Sequence, residues 1–205
     1  MTKATTVILI TILCSIQNLM AQCSSLDINT TVTSASFNPS ETTTLGSETI
    51  FVGTDSNGTE LWKTDGTVGG TMMIKDINPS CESSSPNKLT LAGSLVYFRA
   101  NDGINGEELW VTDGTAAGTS MVKDINPGIS YSQIDELTNA NGTLYFSAFD
   151  GVNGHELWKS DGTASGTVMV KDINSGSSSS NPDDLIAYNG RIYFQARGAS
   201  NGQEV

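Results

Sequence analysis

Glu108-Leu109-Trp110-Val111-Thr112-Asp113-Gly114-Thr115 is the stretch that decides the fold, because it comes back. Glu60-Leu61-Trp62 stands 48 residues before it and Glu156-Leu157-Trp158 stands 48 after. Thr64-Asp65-Gly66-Thr67 and Ser160-Asp161-Gly162-Thr163 keep the same interval, as do Lys75-Asp76-Ile77-Asn78, Lys123-Asp124-Ile125-Asn126 and Lys171-Asp172-Ile173-Asn174. Tyr97-Phe98, Tyr145-Phe146 and Tyr193-Phe194 hold the register, with Ile50-Phe51 one residue out of phase. A fixed period of this length marks an array of like structural units.

Each period contains four short strand candidates. In the third unit, 134–140 leads through Asn141-Gly142 into 143–148, and Asn-Gly between apolar segments is a strong hairpin signal. Asp150-Gly151-Val152-Asn153-Gly154 turns the chain into 155–160, and Asp161-Gly162 turns it into 167–173. Glycine or an Asx-Gly pair interrupts almost every candidate within seven residues, which excludes a helix. Along 108–112, alternation puts Leu109 and Val111 on one face and Trp110 on the other. A sheet with large apolar groups on both faces must be covered on both. The expectation is all-β: a β-propeller-like array of four-stranded antiparallel blades with a 48-residue repeat, forming an incomplete, truncated ring. A linear β-solenoid is the competing architecture.

The first residues read as a secretory signal. Lys3 precedes an apolar run over 7–16, and Ala21 stands before Gln22 as a cleavage site. The run is too short to span a bilayer. This divides the chain into a signal peptide, 1–21, an N-terminal segment, 22–40, with a trailing blade strand at 26–29, and a repeat domain, 41–205, of three full units and a partial fourth. Ending inside a repeat, the chain reads as a C-terminally truncated fragment. Cys23 and Cys81 remain after cleavage; in an oxidising compartment they form either a disulfide or two free thiols.

The string Glu-Leu-Trp-x-x-Asp-Gly-Thr, followed by Gly-Thr and Val-Lys-Asp-Ile, resembles the ELWxxDGT repeat of secreted bacterial proteins of Bacteroidetes type. It matches at 60–67, 108–115 and 156–163, and Glu204-Val205 starts a fourth copy with Val for Leu. The resemblance implies an extracellular or cell-surface propeller-like protein, and it carries no residue-level activity.

A formal charge of −12 with singly scattered Lys and Arg excludes a nucleic-acid partner, and after signal cleavage no stable membrane span is expected. Asp102-Gly103-Ile104-Asn105-Gly106-Glu107-Glu108 and Asp150 through Glu156 crowd oxygen donors as calcium loops do. Asp55 to Glu60 is one residue shorter, and the fourth unit has Gly198 where the aspartate should stand. The competing reading is a turn in which Asp bonds its own backbone. No cofactor is therefore expected, and calcium is the one to test. Trp62, Trp110 and Trp158 are expected in inter-blade packing, each indole N–H with a partner. Asp65, Asp113 and Asp161 read as turn formers. Lys75, Lys123 and Lys171 with Asp76, Asp124 and Asp172 read as inter-blade ion pairs, and His155 as polar surface.

Function is sought where the repeats differ: at Arg99, Ser147 and Gln195, and in the loops 80–87, 128–133 and 175–183. The leading expectation is a non-catalytic module that binds a protein or glycan ligand. The others are a structural spacer and a glycan-active hydrolase using Asp135-Glu136 or Asp183-Asp184, although adjacent strand residues point to opposite faces. No catalytic, cofactor-binding or metal residue is assigned. Open blade faces would favour self-association.

Overall fold

Strands three to eight residues long need neighbours for their backbone N–H and C=O groups, and here each finds them in the segment just before or after it. The computed structural model describes residues 39–79 and 81–198, and the backbone of 202–204. The signal segment 1–21, the strand expected at 26–29 and Cys23 lie outside the described residues. Cys81 is disulfide-bonded, and its partner also lies outside them.

Four antiparallel meanders follow one another. The first sheet holds β1 (Ser40–Leu45), β2 (Glu48–Asp55), β3 (Gly58–Thr64) and β4 (Met72–Lys75). The second holds β5 (Asn87–Ala92), β6 (Leu95–Asn101), β7 (Glu107–Thr112) and β8 (Ser120–Lys123). The third holds β9 (Asp135–Ala140), β10 (Thr143–Phe149), β11 (His155–Ser160) and β12 (Val168–Lys171). The fourth holds β13 (Asp183–Tyr188), β14 (Arg191–Gly198) and β15 (Gly202–Glu204). All four sheets are open. The first strands β1, β5, β9 and β13 lie side by side in succession, so the sheets share one inner edge.

Asn141 and Gly142 close the β9–β10 hairpin with φ of 54° and 86°, the left-handed pair that a two-residue turn of matching twist requires. The fourth strand of each unit is shorter than its apolar run: β12 covers 168–171 where 167–173 was expected. The chain leaves the ladder there because Ile173 donates its N–H to a side chain, the Glu156 carboxylate.

The alternation of 108–112 survives into the packing. Leu109 and Val111 join Tyr97, Val122 and Ile125 against Leu144, Phe146, Ala148 and Trp158 of the third sheet. Trp110 turns the other way, with Val96, Phe98 and Ala100, against Ile50, Leu61, Ile74 and Ile77 of the first. Each sheet therefore has a rear face toward the preceding sheet and a forward face toward the next. Burial of these side chains is the main stabilising term, about 1.5–3 kcal/mol for each large apolar group.

The glutamates that open the first three motif copies, Glu60, Glu108 and Glu156, are fully buried, although glutamate is rarely so. Glu60 accepts from Ile77 N at 3.1 Å, from Ser84 N at 2.8 Å and from the Ser84 hydroxyl at 2.5 Å. Glu156 repeats this on Ile173 N at 2.9 Å, Ser180 N at 2.9 Å and the Ser180 hydroxyl at 2.7 Å. Glu108 takes Ile125 N at 2.9 Å and Asn126 N at 3.4 Å, and the Ser132 hydroxyl, which donates to the Glu107 carbonyl at 3.1 Å, lies against it and pulls its carboxyl down. Each carboxylate thus joins the third strand of its sheet to the segment behind the fourth strand and to a serine at the entry of the next unit. The carbonyls of those serines then accept from the next sheet: Asn101 N to Ser84 O, Phe149 N to Ser132 O and Arg197 N to Ser180 O.

Burial pushes the Glu108 carboxyl up to about 7, against the lowering pull of its donors and with a further push from Asp124. Burial likewise raises Glu60. A carboxyl raised in the folded state stabilises it fully below the unfolded value of 4.5, and that contribution is lost as the pH rises through 7. His155 opposes this: burial lowers its pKa, so its contribution is present above 6.5 and falls away in acid. Glu108→Gln isolates the glutamate. By urea unfolding, the stability of the wild type relative to the variant should increase as pH falls from about 8 to about 5 and level off below. A pH-independent difference would refute the assignment.

Candidate functional site

The aspartates of the Asp-Gly-Thr motif are spent on holding their own turns. Asp113 accepts from Thr115 N at 2.9 Å and from the Thr115 hydroxyl at 2.7 Å, and Asp65 and Asp161 do the same with Thr67 and Thr163. These bonds hold all three carboxyls below the usual range. A Cβ on Gly118 would overlap the Asp113 carboxylate, and Gly70 and Gly166 stand in the same relation to Asp65 and Asp161. That is why Gly-Thr closes each motif.

The acidic turns behave likewise. Asp102 accepts from Ile104 N at 2.9 Å, Asn105 N at 2.8 Å and the Asn105 amide at 2.7 Å, and Asp150 repeats the pattern on Val152 and Asn153. Burial alone would raise the Asp102 carboxyl, but these three donors outweigh it and hold it low.

Three expectations need correction. Lys75 and Lys123 make no inter-sheet ion pairs with Asp76 or Asp124; they donate to the carbonyls of Thr119 at 2.7 Å and Thr167 at 2.9 Å in the following sheet. A carbonyl was within reach and needed a donor. The indole N–H groups of Trp110 and Trp158 are buried with no hydrogen-bond partner in the protein, because the rings lodge among the carbon side chains between sheets. His155 is half-buried rather than free surface: its ring stacks on Phe149 at 5.4 Å, with Nε2 3.1 Å from Gln133 Oε1.

Of the positions that differ between units, Arg99 pins the second sheet to the third. Its guanidinium donates to Ile134 O at 2.5 Å and Asn87 Oδ1 at 2.7 Å, with Glu107 at 3.4 Å. Ser147 is buried, and Gln195 donates to Asp184 Oδ2 at 2.7 Å.

The remaining variation converges on the inner edge. Each first strand is bulged where it pairs with the second, between Ser40 and Thr42, Asn87 and Thr90, Tyr145 and Ser147 opposite Asp135, and Asp183 and Ile186. At the bulge stands a charged residue with positive φ: Glu41 at 44°, Lys88 at 60°, Glu136 at 60° and Asp184 at 54°. Non-glycine residues in this region cost on the order of 1–3 kcal/mol and persist only where the surroundings hold them. At the first three the neighbouring sheet does so, and at Asp184 it is Gln195 of the same sheet. Glu41 accepts from Leu89 N at 3.2 Å and Glu136 from Leu185 N at 3.1 Å. Lys88 breaks the acidic series and pairs with Asp135 at 2.8 Å. Burial would raise Asp135, but Lys88 and the Glu136 N–H outweigh it and keep the carboxyl low.

The bulge also corrects the reading of Asp135-Glu136. A regular strand would send them to opposite faces, whereas the extra residue lets both line one cleft of about 510 Å3, together with Glu41, Lys88, Thr90 and Thr138. Asp184 lines a neighbouring cleft with Glu136, Gln195 and Tyr193. Strand alternation alone could not have located these sites. Among the described residues no group of three or more His, Cys, Asp or Glu is placed to hold a metal ion, and no helix is long and apolar enough to cross a membrane.

Comparison with known proteins gives no match: no family model, no curated protein and no solved structure matches the chain.

Asp102→Ala removes three hydrogen bonds from its turn and should cost about 1–2 kcal/mol by thermal or urea unfolding. Because both Asp102 oxygens already accept N–H groups, calcium should shift the melting temperature of the wild type by less than about 1 °C. A rise of about 5 °C or more would instead make the acidic turns ligands.

Proposed function

We propose that this chain is an exported, non-catalytic binding module of propeller-like build, which contacts a glycan or protein ligand at the inner edge of its sheets. The succession of first strands around a shared edge supports the propeller arrangement. The apolar leader at 7–16 supports export, and the recurring motif supports kinship with the ELWxxDGT proteins.

One observation carries the binding reading. The aspartates of the Asp-Gly-Thr motif and of the acidic turns accept hydrogen bonds within their own turns, whereas Glu41, Lys88, Asp135 and Glu136, which change from unit to unit, collect in the inner-strand cleft. There Lys88, Asp135, Glu136 and the Thr90 and Thr138 hydroxyls offer donors and acceptors together.

The same geometry weighs against a hydrolase. A glycosidase acid needs a carboxyl kept protonated beside substrate. The carboxyls pushed upward here, Glu60 and Glu108, are fully buried, while Asp135 is held low by Lys88.

Lys88→Ala tests the reading with little risk to folding, since the Lys88–Asp135 pair is about half exposed and such pairs contribute roughly 0–1 kcal/mol. On arrays of glycans and peptides the wild type should retain a defined set, and Lys88→Ala should weaken retention about tenfold or more while its melting temperature holds. Retention unchanged in the variant would remove the cleft from the binding site. Turnover of a retained glycan would overturn the non-catalytic reading.

A further inference from the structure

Apolar side chains stand exposed together at one end of the second and third sheets. Ile104 in the β6–β7 turn is 71% exposed and Val152 in the β10–β11 turn 68%. Ile129 and Tyr131, in the loop between those turns, are 82% and 53% exposed. The three segments are packed on one another. The carbonyls of Ile129 and Ser130 press on Gly106, where a Cβ would strike them. The Asn126 amide donates to Tyr131 O at 3.0 Å, and its oxygen packs on Gly151 of the next turn. Ser132 N donates to Glu107 O at 3.1 Å, and Phe149 N to Ser132 O at 2.8 Å. Both sheets have a neighbour on either side. The patch lies across their ends and not on a flank.

The patch is peculiar to this place in the array. Ile129 corresponds to Cys81 and Ser177, Tyr131 to Ser83 and Ser179, and the shorter turn at 55–58 has no aliphatic residue. Counterpart loops fold on serine, so packing does not require isoleucine or tyrosine here, and a cluster of exposed apolar groups marks a contact surface. Three of the four side chains are aliphatic, with no ring face for a sugar, while Trp110 and Trp158 are buried between sheets. Laying hydroxyls on aliphatic groups removes their water without replacing its hydrogen bonds, whereas laying apolar side chains there is favourable. The charge around the patch has one sign. Residues 101–107, 126–133 and 149–155 include no lysine or arginine. Burial would raise Asp102 and Asp150, but the N–H donors of their own turns outweigh it, and both stay ionised at neutral pH. Burial lowers His155, which is neutral there.

We propose that this rim binds a protein, through a segment in which apolar side chains stand beside lysine or arginine. The inference rests on the reading that this end of the sheets binds a ligand, and it selects protein over glycan. The segment's apolar groups cover Ile104, Ile129, Tyr131 and Val152, and its basic groups meet Asp102 and Asp150, one in each flanking turn. Asp135 and Glu136 follow directly on the loop and line the inner cleft, so a segment seated on the rim continues into the cleft beside Lys88, Thr90 and Thr138. Because the loop is pinned at both edges before a partner arrives, little ordering entropy opposes docking.

The full chain is applied to synthetic peptides in which apolar content (Leu, Phe, Tyr) and charge (Lys or Glu) vary independently, printed beside a glycan array. Peptides carrying both apolar residues and lysine should be retained, and glutamate in place of lysine should weaken retention at least tenfold. Ile129→Ser with Tyr131→Ser should weaken it at least tenfold while the melting temperature holds, because both side chains are exposed and the counterpart loop carries serine. Ile104→Ser, in a separate turn, should act in the same direction. Peptide retention that falls in Lys88→Ala but not in these variants overturns the rim and leaves the cleft standing. Retention that falls in these variants but not in Lys88→Ala keeps the rim and removes the cleft. A wild type that retains glycans and no peptide overturns the choice of protein, and one that retains neither overturns both readings. Self-association by sedimentation velocity that the serine pair abolishes would assign the rim to a second copy and likewise overturn the proposal.

Discussion

Each of the first three sheets depends on one buried carboxylate. Glu60, Glu108 and Glu156 lie with no exposed surface, each surrounded by N–H and hydroxyl donors. An isolated carboxylate in that position would cost several kcal/mol, and two or three donors offset the cost only if they arrive together. The donors come from the segment behind the fourth strand and from the serine that enters the next unit. The carboxylate can therefore be satisfied only when its own sheet is complete and the next has begun. Local turns, with their short-range hydrogen bonds, form independently of this. The glutamate makes one unit conditional on its neighbour, which is the coupling that a repeat array requires.

Around that coupling the fold separates uniform residues from variable ones. The Asp-Gly-Thr turns, the Asp-x-x-Asn turns and the Trp-centred seams recur with the same bonds, since each unit faces the same packing problem. At the inner edge that uniformity gives way. Glu41, Lys88, Glu136 and Asp184 share one strained backbone position and differ in sign and length. Strain retained at every copy, under side chains that vary, indicates that the backbone shape belongs to the array and the charges belong to the site. The enclosing cleft is mostly polar, with Leu89 and Leu137 among its walls, and its one lysine is the residue that departs from the acidic series.

Much of the fold was legible before any coordinates. The 48-residue period, the four-strand unit, the Asn141-Gly142 hairpin and the two-faced burial of Leu109 and Trp110 follow from local rules of spacing and turn chemistry, and those rules act over a few residues. The clamp was half legible: Ser84, Ser132 and Ser180 keep the same interval as the glutamates, but they sit in loops whose other residues vary, and a glutamate on a strand reads as surface. The cleft was hidden for a different reason. Asp135 and Glu136 come to one side only through a β-bulge, and a single extra residue reverses the face of all that follows it.

What the sequence determined by itself is periodicity: which segments are strands, where they turn and which face each apolar side chain takes. Those properties depend on neighbours along the chain. The tertiary structure decided which charges are buried and which meet. Glu108 reaches Ser132 across 24 residues and Lys88 reaches Asp135 across 47. Desolvation and Coulomb energy depend on the distance between sheets, and that distance is set by packing.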